Sequence, residues 1–201
     1  MVPQPALAAL LLFPITEATE ALRAEEAAAE GNGGGAAAAA EAAGVFYMRQ
    51  TIGNACGTIG LLHALGNAAA PAGGPLPLAP GSFLEAFLAA TAGMSPAARG
   101  AHLEAPPPGA PEIDGIHDAA ARQGATDAPD AATDTNLHFI AFVQRGGRLW
   151  ELDGRKAAPV DHGPSGPATL LADTAGVVRR RFVERGGGSV EFSLIALAKA
   201  E

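Results

Sequence analysis

LHFIAFVQRGGRLWELDG, residues 137–154, is the stretch of sequence that decides the fold. Its first half is apolar on both alternating faces, as in a strand at the centre of a sheet, and Gly146-Gly147 suits a two-residue hairpin turn. With that turn, Ile140 lies opposite Asp153. The pattern therefore predicts a β-hairpin that is followed by an Asp-Gly pair.

Strand and helix patterns alternate on both sides of the hairpin. ALAALLLF at residues 6–13 predicts a buried strand that Pro14 ends, and residues 189–198 predict the last strand. Helices are predicted at residues 15–30, 58–69 and 169–184, and two more are predicted to begin at the caps Ser82 and Ser95. This mixture predicts an α+β fold in one domain of 201 residues.

Three segments carry no strand or helix pattern. Residues 31–44 are low-complexity glycine and alanine, which predicts a loop with little structure of its own, and residues 71–80 predict a linker. Residues 104–136 are rich in proline and acidic side chains, a composition that disfavours a packed element. A loop of that length in a compact domain is often a lid or a binding loop.

The charge of the chain restricts the classes of partner. A formal net charge of −8 argues against nucleic acid and anionic membrane surfaces, and it favours a basic protein or peptide. The apolar run at residues 6–13 is far shorter than a membrane span requires. A single cysteine cannot form an internal disulfide, so we expect a reducing compartment, the cytoplasm or also the nucleus.

The hairpin places an imidazole near a carboxylate. His138 shares a face with Ile140, so His138 and Asp153 are diagonal neighbours within reach of each other. A histidine oriented by a carboxylate is half of a nucleophilic triad, and Cys56 at a predicted helix N-terminus is the candidate nucleophile. Gln50, together with the Cys56 backbone N–H, would supply two donors to an oxyanion.

Each of these residues also has a plainer interpretation. A lone cysteine in an apolar helix is usually an inert buried thiol, His138 would ordinarily be a hydrogen-bonded strand-end histidine, and Asp153 would ordinarily be a turn former. Their combination with Gln50 favours the catalytic interpretation. His63, inside a predicted buried helix, is predicted to be structural. The spacing of the histidines predicts no metal site.

The residues just described resemble a known family. QTIGNACGTIGLLHAL, residues 50–65, and the hairpin with its continuation RKAAPVDHG are similar to the ubiquitin C-terminal hydrolases, a class of deubiquitinating cysteine proteases. The resemblance extends to PALAALLLFPITE, MSPAARGAHLE and FSLIALA and covers most of the chain. It implies a papain-like cysteine protease core, with a central antiparallel sheet flanked by helices.

The resemblance also implies a chemistry and a substrate. In the family, Cys56 would be the nucleophile, His138 the general base, Asp153 its orienting carboxylate and Gln50 an oxyanion donor. The expected reaction is cleavage after the C-terminal glycine of ubiquitin, with small leaving groups preferred and with no metal or cofactor. Residues 104–136 take the place of a crossover loop that straddles the family's active site.

Two alternative functions stay open at the level of sequence. Family members normally carry a further N-terminal segment, and its absence would make this chain a catalytically impaired ubiquitin-binding protein. A second alternative is a hydrolase of another ubiquitin-like modifier. The acidic excess is explained equally well by attraction to ubiquitin and by a solvated acidic loop. The sequence does not determine the oligomeric state.

Overall fold

The computed structural model describes residues 2–31, 35–69, 74–109, 136–185 and 191–199. Its strands form one sheet in which every neighbouring pair is antiparallel. These strands are β1 (Ala6–Pro14), β2 (Leu137–Arg145), β3 (Arg148–Leu152), β4 (Val160–Pro164) and β5 (Ser193–Ala198), in the order β4-β3-β2-β1-β5. The predicted central strand, β2, lies in the middle of the sheet.

The β2–β3 hairpin has the predicted register. Arg145 pairs with Arg148, and Ala141 pairs with Leu152, which extends the ladder toward Asp153. Gly146 and Gly147 have φ of +58° and +75°. A two-residue turn of the I′ type needs positive φ at both central positions, so the Gly-Gly pair allows the tight connection that fixes this register.

The helices are distributed over both faces of the sheet. They are α1 (Glu17–Gly31), α2 (Gly35–Ala42), α3 (Cys56–Ala69), α4 (Phe83–Thr91), α5 (Pro96–Glu104) and α6 (Leu170–Val178), and α6 continues into a π-helical turn, Arg179–Val183. The two predicted caps are confirmed: Ser82 accepts a hydrogen bond from the Glu85 N–H, and Ser95 accepts one from the Ala98 N–H.

Alternate residues of the central strands are buried on opposite sides of the sheet. Ile140 and Phe142 of β2 belong to a buried cluster with Val177 of α6. Ala141 belongs to a second buried cluster, which contains Ala64 of α3. The sheet is therefore covered by α6 on one face and by α3 on the other, and the α+β prediction is confirmed.

The prediction of a loop with little structure over residues 31–44 is wrong, because α1 extends to Gly31 and α2 spans Gly35–Ala42. Alanine has the highest helix propensity, and one alanine of this run, Ala40, is buried against the sheet. Gly44, with φ +67°, and Val45 end the helix by donating their N–H groups to Glu41 O and Ala40 O. This is the Schellman arrangement.

The other observed boundaries differ less from the predicted ones. The last strand begins at Ser193, later than the predicted residue 189, and residues 189–190 lie outside the described residues. Most of the predicted loop at 104–136 also lies outside them, because the description stops at residue 109 and resumes at 136. Among the helices that are described, none is both long and apolar enough to cross a bilayer.

Candidate active site

Cys56 is the first residue of α3, where a helix has unpaired backbone N–H groups. Burial raises the pKa of its thiol, but hydrogen bonds from His138 and from the backbone of Phe139 and Gly57, together with the charge of His138, outweigh this effect. The net result is a pKa below the ordinary value. The surroundings of this thiol therefore favour the thiolate, which is its nucleophilic form.

His138 and Asp153 form a buried pair beside Cys56. His138 Nε2 lies 2.7 Å from Asp153 Oδ1, and both side chains are 4% exposed. Burial lowers the pKa of His138, but hydrogen bonds to Asp153 and Cys56 outweigh it and raise the pKa to about 9. The imidazole is therefore positively charged near neutral pH when its two partners are ionised.

The Asp153 carboxylate is stabilised in its ionised form. Burial raises its pKa, but the hydrogen bond and positive charge of His138, followed by the backbone N–H of Arg155, bring it below the ordinary value. The Arg155 N–H lies 2.9 Å from Oδ1, the same oxygen that contacts His138. Because Nε2 of His138 is bound to Asp153, the other ring nitrogen, Nδ1, remains for the thiol.

Gln50 reaches this region from the segment before α3. Its backbone N–H donates to Gly154 O at 2.9 Å, and its side-chain Nε2 donates to Ile52 O at 3.0 Å. An amide NH₂ has two N–H groups, so the bond to Ile52 orients the side chain and leaves one N–H for another acceptor. Its Oε1 is buried and has no hydrogen-bond partner among the residues that the structure describes.

Gly154 allows the turn after β3 to lie close to α3 and to the segment that carries Gln50. A Cβ on Gly154 would lie 2.8 Å from Ile59 Cγ2 and 3.0 Å from Gln50 Cβ, which is closer than real Cβ contacts. Only a residue without a side chain lets the turn after β3 sit against both α3 and the Gln50 segment. The Asp-Gly pair therefore serves packing at the site as well as the turn.

His63 is structural, as its place in α3 predicts. It is 0% exposed, and its Nε2 lies within hydrogen-bond distance of Met48 N and Met48 O, at 3.2 and 3.1 Å. Burial lowers its pKa to about 4, because the effect of burial outweighs the backbone hydrogen bonds and the charge of Asp153, which act to raise the pKa. His63 is therefore neutral at physiological pH and holds the segment that leads to Gln50.

We expect acid to destabilise the fold through His63. The pKa of His63 is about 4 in the folded chain and 6.5 in the unfolded chain. Between pH 6.5 and pH 4, His63 therefore binds a proton in the unfolded chain but not in the folded one. Stability falls as the pH drops below 6.5, by at most about 3 kcal/mol by pH 4. Urea unfolding between pH 7 and pH 5 measures this slope. His63→Gln should flatten it, and an equal slope in both proteins would contradict the prediction.

Sequence reasoning missed one residue of this region, Tyr47. It is the only tyrosine of the chain, and its hydroxyl lies 2.7 Å from Asp153 O. The available signal was the phenol itself: a tyrosine inside an apolar run before a predicted site needs a hydrogen-bond partner when it is buried. The partner, a carbonyl far along the chain, could not be named from the sequence.

Three histidines remain besides His63 and His138. His162 Nε2 lies 2.8 Å from Glu151 Oε2 in a separate buried ion cluster with Lys156. His102 of α5 is half-buried, with its ring 6.0 Å from that of Phe87, and His117 lies outside the described residues. Within the described ranges, no group of three or more His, Cys, Asp or Glu side chains is arranged to hold a metal ion. The predicted lack of a metal or cofactor stays a prediction.

The sequence model of one family, "Ubiquitin carboxyl-terminal hydrolase, family 1", matches residues 1–183. The chain belongs to this family. Ubiquitin carboxyl-terminal hydrolase 3 of Arabidopsis thaliana is 42% identical over 199 residues, which are 99% of this chain and 77% of that relative. Isozyme L1 of Homo sapiens is 43% identical over 199 residues, 99% of this chain and 81% of that one. This is a family of cysteine proteases, and the resemblance inferred from the motifs is confirmed.

Solved structures support the fold of this ubiquitin carboxyl-terminal hydrolase family member. The catalytic domain of Trichinella spiralis UCH37, bound to ubiquitin vinyl methyl ester, matches with a TM-score of 0.66 and 20% identity over 96% of this chain and 76% of that chain. A second UCH37 structure, with a TM-score of 0.62, is covered over 64% of its length, slightly less than two thirds. At this identity the likeness concerns the fold alone, and it confirms the predicted hydrolase fold.

Proposed function

We propose that this chain hydrolyses the amide, ester or isopeptide bond after the C-terminal glycine of ubiquitin. The observation that carries the proposal is the hydrogen-bonded series of Cys56, His138 and Asp153 at the N-terminus of α3. A thiol of lowered pKa beside a carboxylate-bound imidazole is suited to acyl transfer. The family supplies the substrate class.

Each side chain has a role that its contacts support. His138 takes the proton of Cys56, and the thiolate attacks the glycine carbonyl to give a tetrahedral oxyanion. The imidazolium then protonates the leaving amine or alcohol, the C–N or C–O bond breaks, and a thioester remains. Water, deprotonated by His138, hydrolyses the thioester to release the ubiquitin carboxylate and the free thiol. Asp153 holds the imidazole ring through Nε2.

Turnover of ubiquitin that carries a fluorogenic amide at its C-terminus tests the proposal. We expect release of the fluorophore by the purified 201-residue chain. As a second readout, ubiquitin vinyl methyl ester, the electrophile present in the UCH37 structures, should form a covalent adduct, and peptide mass spectrometry should locate it at Cys56. No turnover and no adduct would contradict the proposal.

The same measurements address the alternatives. Ubiquitin binding without turnover would support the first alternative, a catalytically impaired ubiquitin-binding protein. Fluorogenic amides of other ubiquitin-like modifiers test the second alternative. The thiol–imidazole–carboxylate contacts favour hydrolysis over binding alone, because a binding surface has no need of a thiol with a lowered pKa.

Gln50→Ala is expected to lower kcat by about 10²–10³-fold, the usual cost of losing one oxyanion donor. The second N–H of the Gln50 amide is available for the oxyanion, because the first is bound to Ile52 O. Steady-state kinetics on the fluorogenic amide measure this loss. Gln144→Ala is a matched control, since Gln144 is also part-buried and donates to a backbone carbonyl, that of Ser165. A Gln50→Ala enzyme within threefold of the control would exclude the role.

We further propose that small leaving groups are preferred and that residues 104–136 restrict access to the site. The support is the resemblance to the family, in which a crossover loop takes this place. Comparison of kcat/KM for ubiquitin joined to a short peptide and to a folded protein tests the preference. Equal rates would exclude it.

We also propose that the protein works in the cytoplasm or nucleus. Cys56 is free, and its thiolate chemistry requires a reduced sulfur, which a reducing compartment maintains. Fluorescence imaging of the tagged chain in cells tests this location, and a secreted or lumenal distribution would exclude it.

A further inference from the structure

The hydroxyl of Tyr47 lies inside the turn that follows β3. It is 2.7 Å from Asp153 O and 2.6 Å from Lys156 O, and the residue is only 2% exposed. A phenol has one proton to donate, so it bonds to one of these carbonyls at a time or is shared between them. The Lys156 N–H also donates to Asp153 O at 2.9 Å, which closes the turn. Tyr47 is therefore the side chain that holds both ends of this turn.

The turn carries the groups of the candidate site. The Asp153 carboxylate contacts His138, and the Arg155 N–H binds the same oxygen from within the turn. The next carbonyl, that of Gly154, accepts the Gln50 N–H at 2.9 Å. A displacement of the turn would therefore move the partner of His138 and the anchor of Gln50 together.

Tyr47 is itself fixed from the opposite side. Its ring stacks on His63, with centroids 5.1 Å apart and planes 20° apart, and its carbonyl accepts a hydrogen bond from Arg99 Nη1 at 2.8 Å. Arg99 also binds carbonyls at the end of α4, those of Thr91 and Ala92. The hydroxyl thus joins a segment that is held by Arg99 and His63 to the turn after β3.

We propose that Tyr47 is a positioning residue that acts through Asp153: its hydroxyl fixes the turn after β3 so that the carboxylate meets His138 Nε2. The inference rests on the proposed function only in that the His138–Asp153 pair serves catalysis. Removing one partner of a buried hydrogen bond costs the full desolvation penalty of the other, so loss of this donor changes the preferred geometry of the turn. Hydrogen bonds of this supporting kind are what hold catalytic groups in place.

Tyr47→Phe, which keeps the ring and removes only the hydroxyl, tests the proposal. We expect kcat on the fluorogenic amide to fall about tenfold with KM nearly unchanged, because a lost buried hydrogen bond shifts a local equilibrium by about that factor. We also expect the alkaline limb of the kcat/KM profile to move to lower pH. A loosened carboxylate stabilises the His138 imidazolium less, so the imidazole loses its proton earlier.

Ser165→Ala is the matched control. The Ser165 hydroxyl is part-buried and donates to Asp173 Oδ2 at 2.8 Å, so the substitution removes a hydroxyl that touches neither the turn after β3 nor the contacts of Tyr47. We expect this variant to lose stability in urea but to keep the wild-type pH profile. An identical profile in Tyr47→Phe would overturn the proposal, and so would an equal shift in both variants.

An activity-independent readout separates this inference from the proposed function. The His138 imidazole can be titrated by NMR in wild type and in Tyr47→Phe, with its signals assigned by their loss in His138→Gln. A lower His138 pKa in Tyr47→Phe, with no change in Ser165→Ala, supports the positioning role even if the wild type does not hydrolyse the ubiquitin amide. An unchanged His138 titration overturns it even if the wild type is fully active.

Discussion

Cys56→Ala is expected to lower kcat/KM on the ubiquitin amide by at least about 10⁴-fold, because loss of the nucleophile removes the covalent route entirely. What remains is catalysis by binding and by oxyanion donors alone. The Cβ of alanine retains the start of α3, where Cys56 is the first helical residue, so the fold should persist. Steady-state kinetics and circular dichroism on the same preparation measure both effects.

Two controls make this result specific. Cys56→Ser keeps a similar shape, but its hydroxyl has a far higher pKa than the thiol and should be inactive on the same scale. Both variants should still bind ubiquitin in calorimetry and should form no adduct with ubiquitin vinyl methyl ester. Residual turnover above a hundredth of the wild-type rate in Cys56→Ala would mean that another group carries the reaction.

Asp153→Ala is expected to lower kcat by about 10⁴-fold, the order of magnitude lost when the carboxylate of a serine-protease triad is replaced. The substitution leaves His138 Nε2 buried without the carboxylate that lies 2.7 Å away. Without that partner the pKa of His138 falls. The alkaline limb of the pH–activity profile should therefore lie at lower pH in the variant than in the wild type. The pH dependence of kcat/KM shows this shift.

Asp153→Asn separates orientation from charge. An asparagine carbonyl can still accept the Nε2 proton of His138, as it does in papain-like Cys-His-Asn sites, but it has no negative charge. If orientation is the main role, the kcat of Asp153→Asn should be at least about tenfold higher than that of Asp153→Ala. An asparagine variant as slow as the alanine variant would assign the effect to charge. Full activity in Asp153→Ala would exclude both roles.

Much of the hairpin could be predicted from adjacent residues. A two-residue turn at Gly146 and Gly147 permits few registers, and the apolar pattern of β2 selects one of them. That register alone places His138 within reach of Asp153, and the structure has their side chains in contact. The caps Ser82 and Ser95 are equally local, since each binds an N–H three residues later.

The Gly/Ala segment at residues 31–44 shows where local reasoning was incomplete. Low complexity suggested a loop, but helix propensity and a glycine in the left-handed region favour a short helix with a Schellman end. Gly44 followed by the apolar Val45 was the available signal. The burial of Ala40 against the sheet, which the segment itself does not encode, adds the tertiary contribution to this helix.

The sequence by itself determined the α+β class, the hairpin register, a helix that begins close to Cys56 and, through its motifs, the family. These features depend on residues that are neighbours in the chain, where turn chemistry and periodicity act directly. Only the tertiary structure decided that Cys56 meets His138, that Gly154 admits α3 and Gln50, and that the Tyr47 hydroxyl enters the turn after β3. Such contacts join distant segments, and packing of the whole sheet between α3 and α6 fixes their geometry.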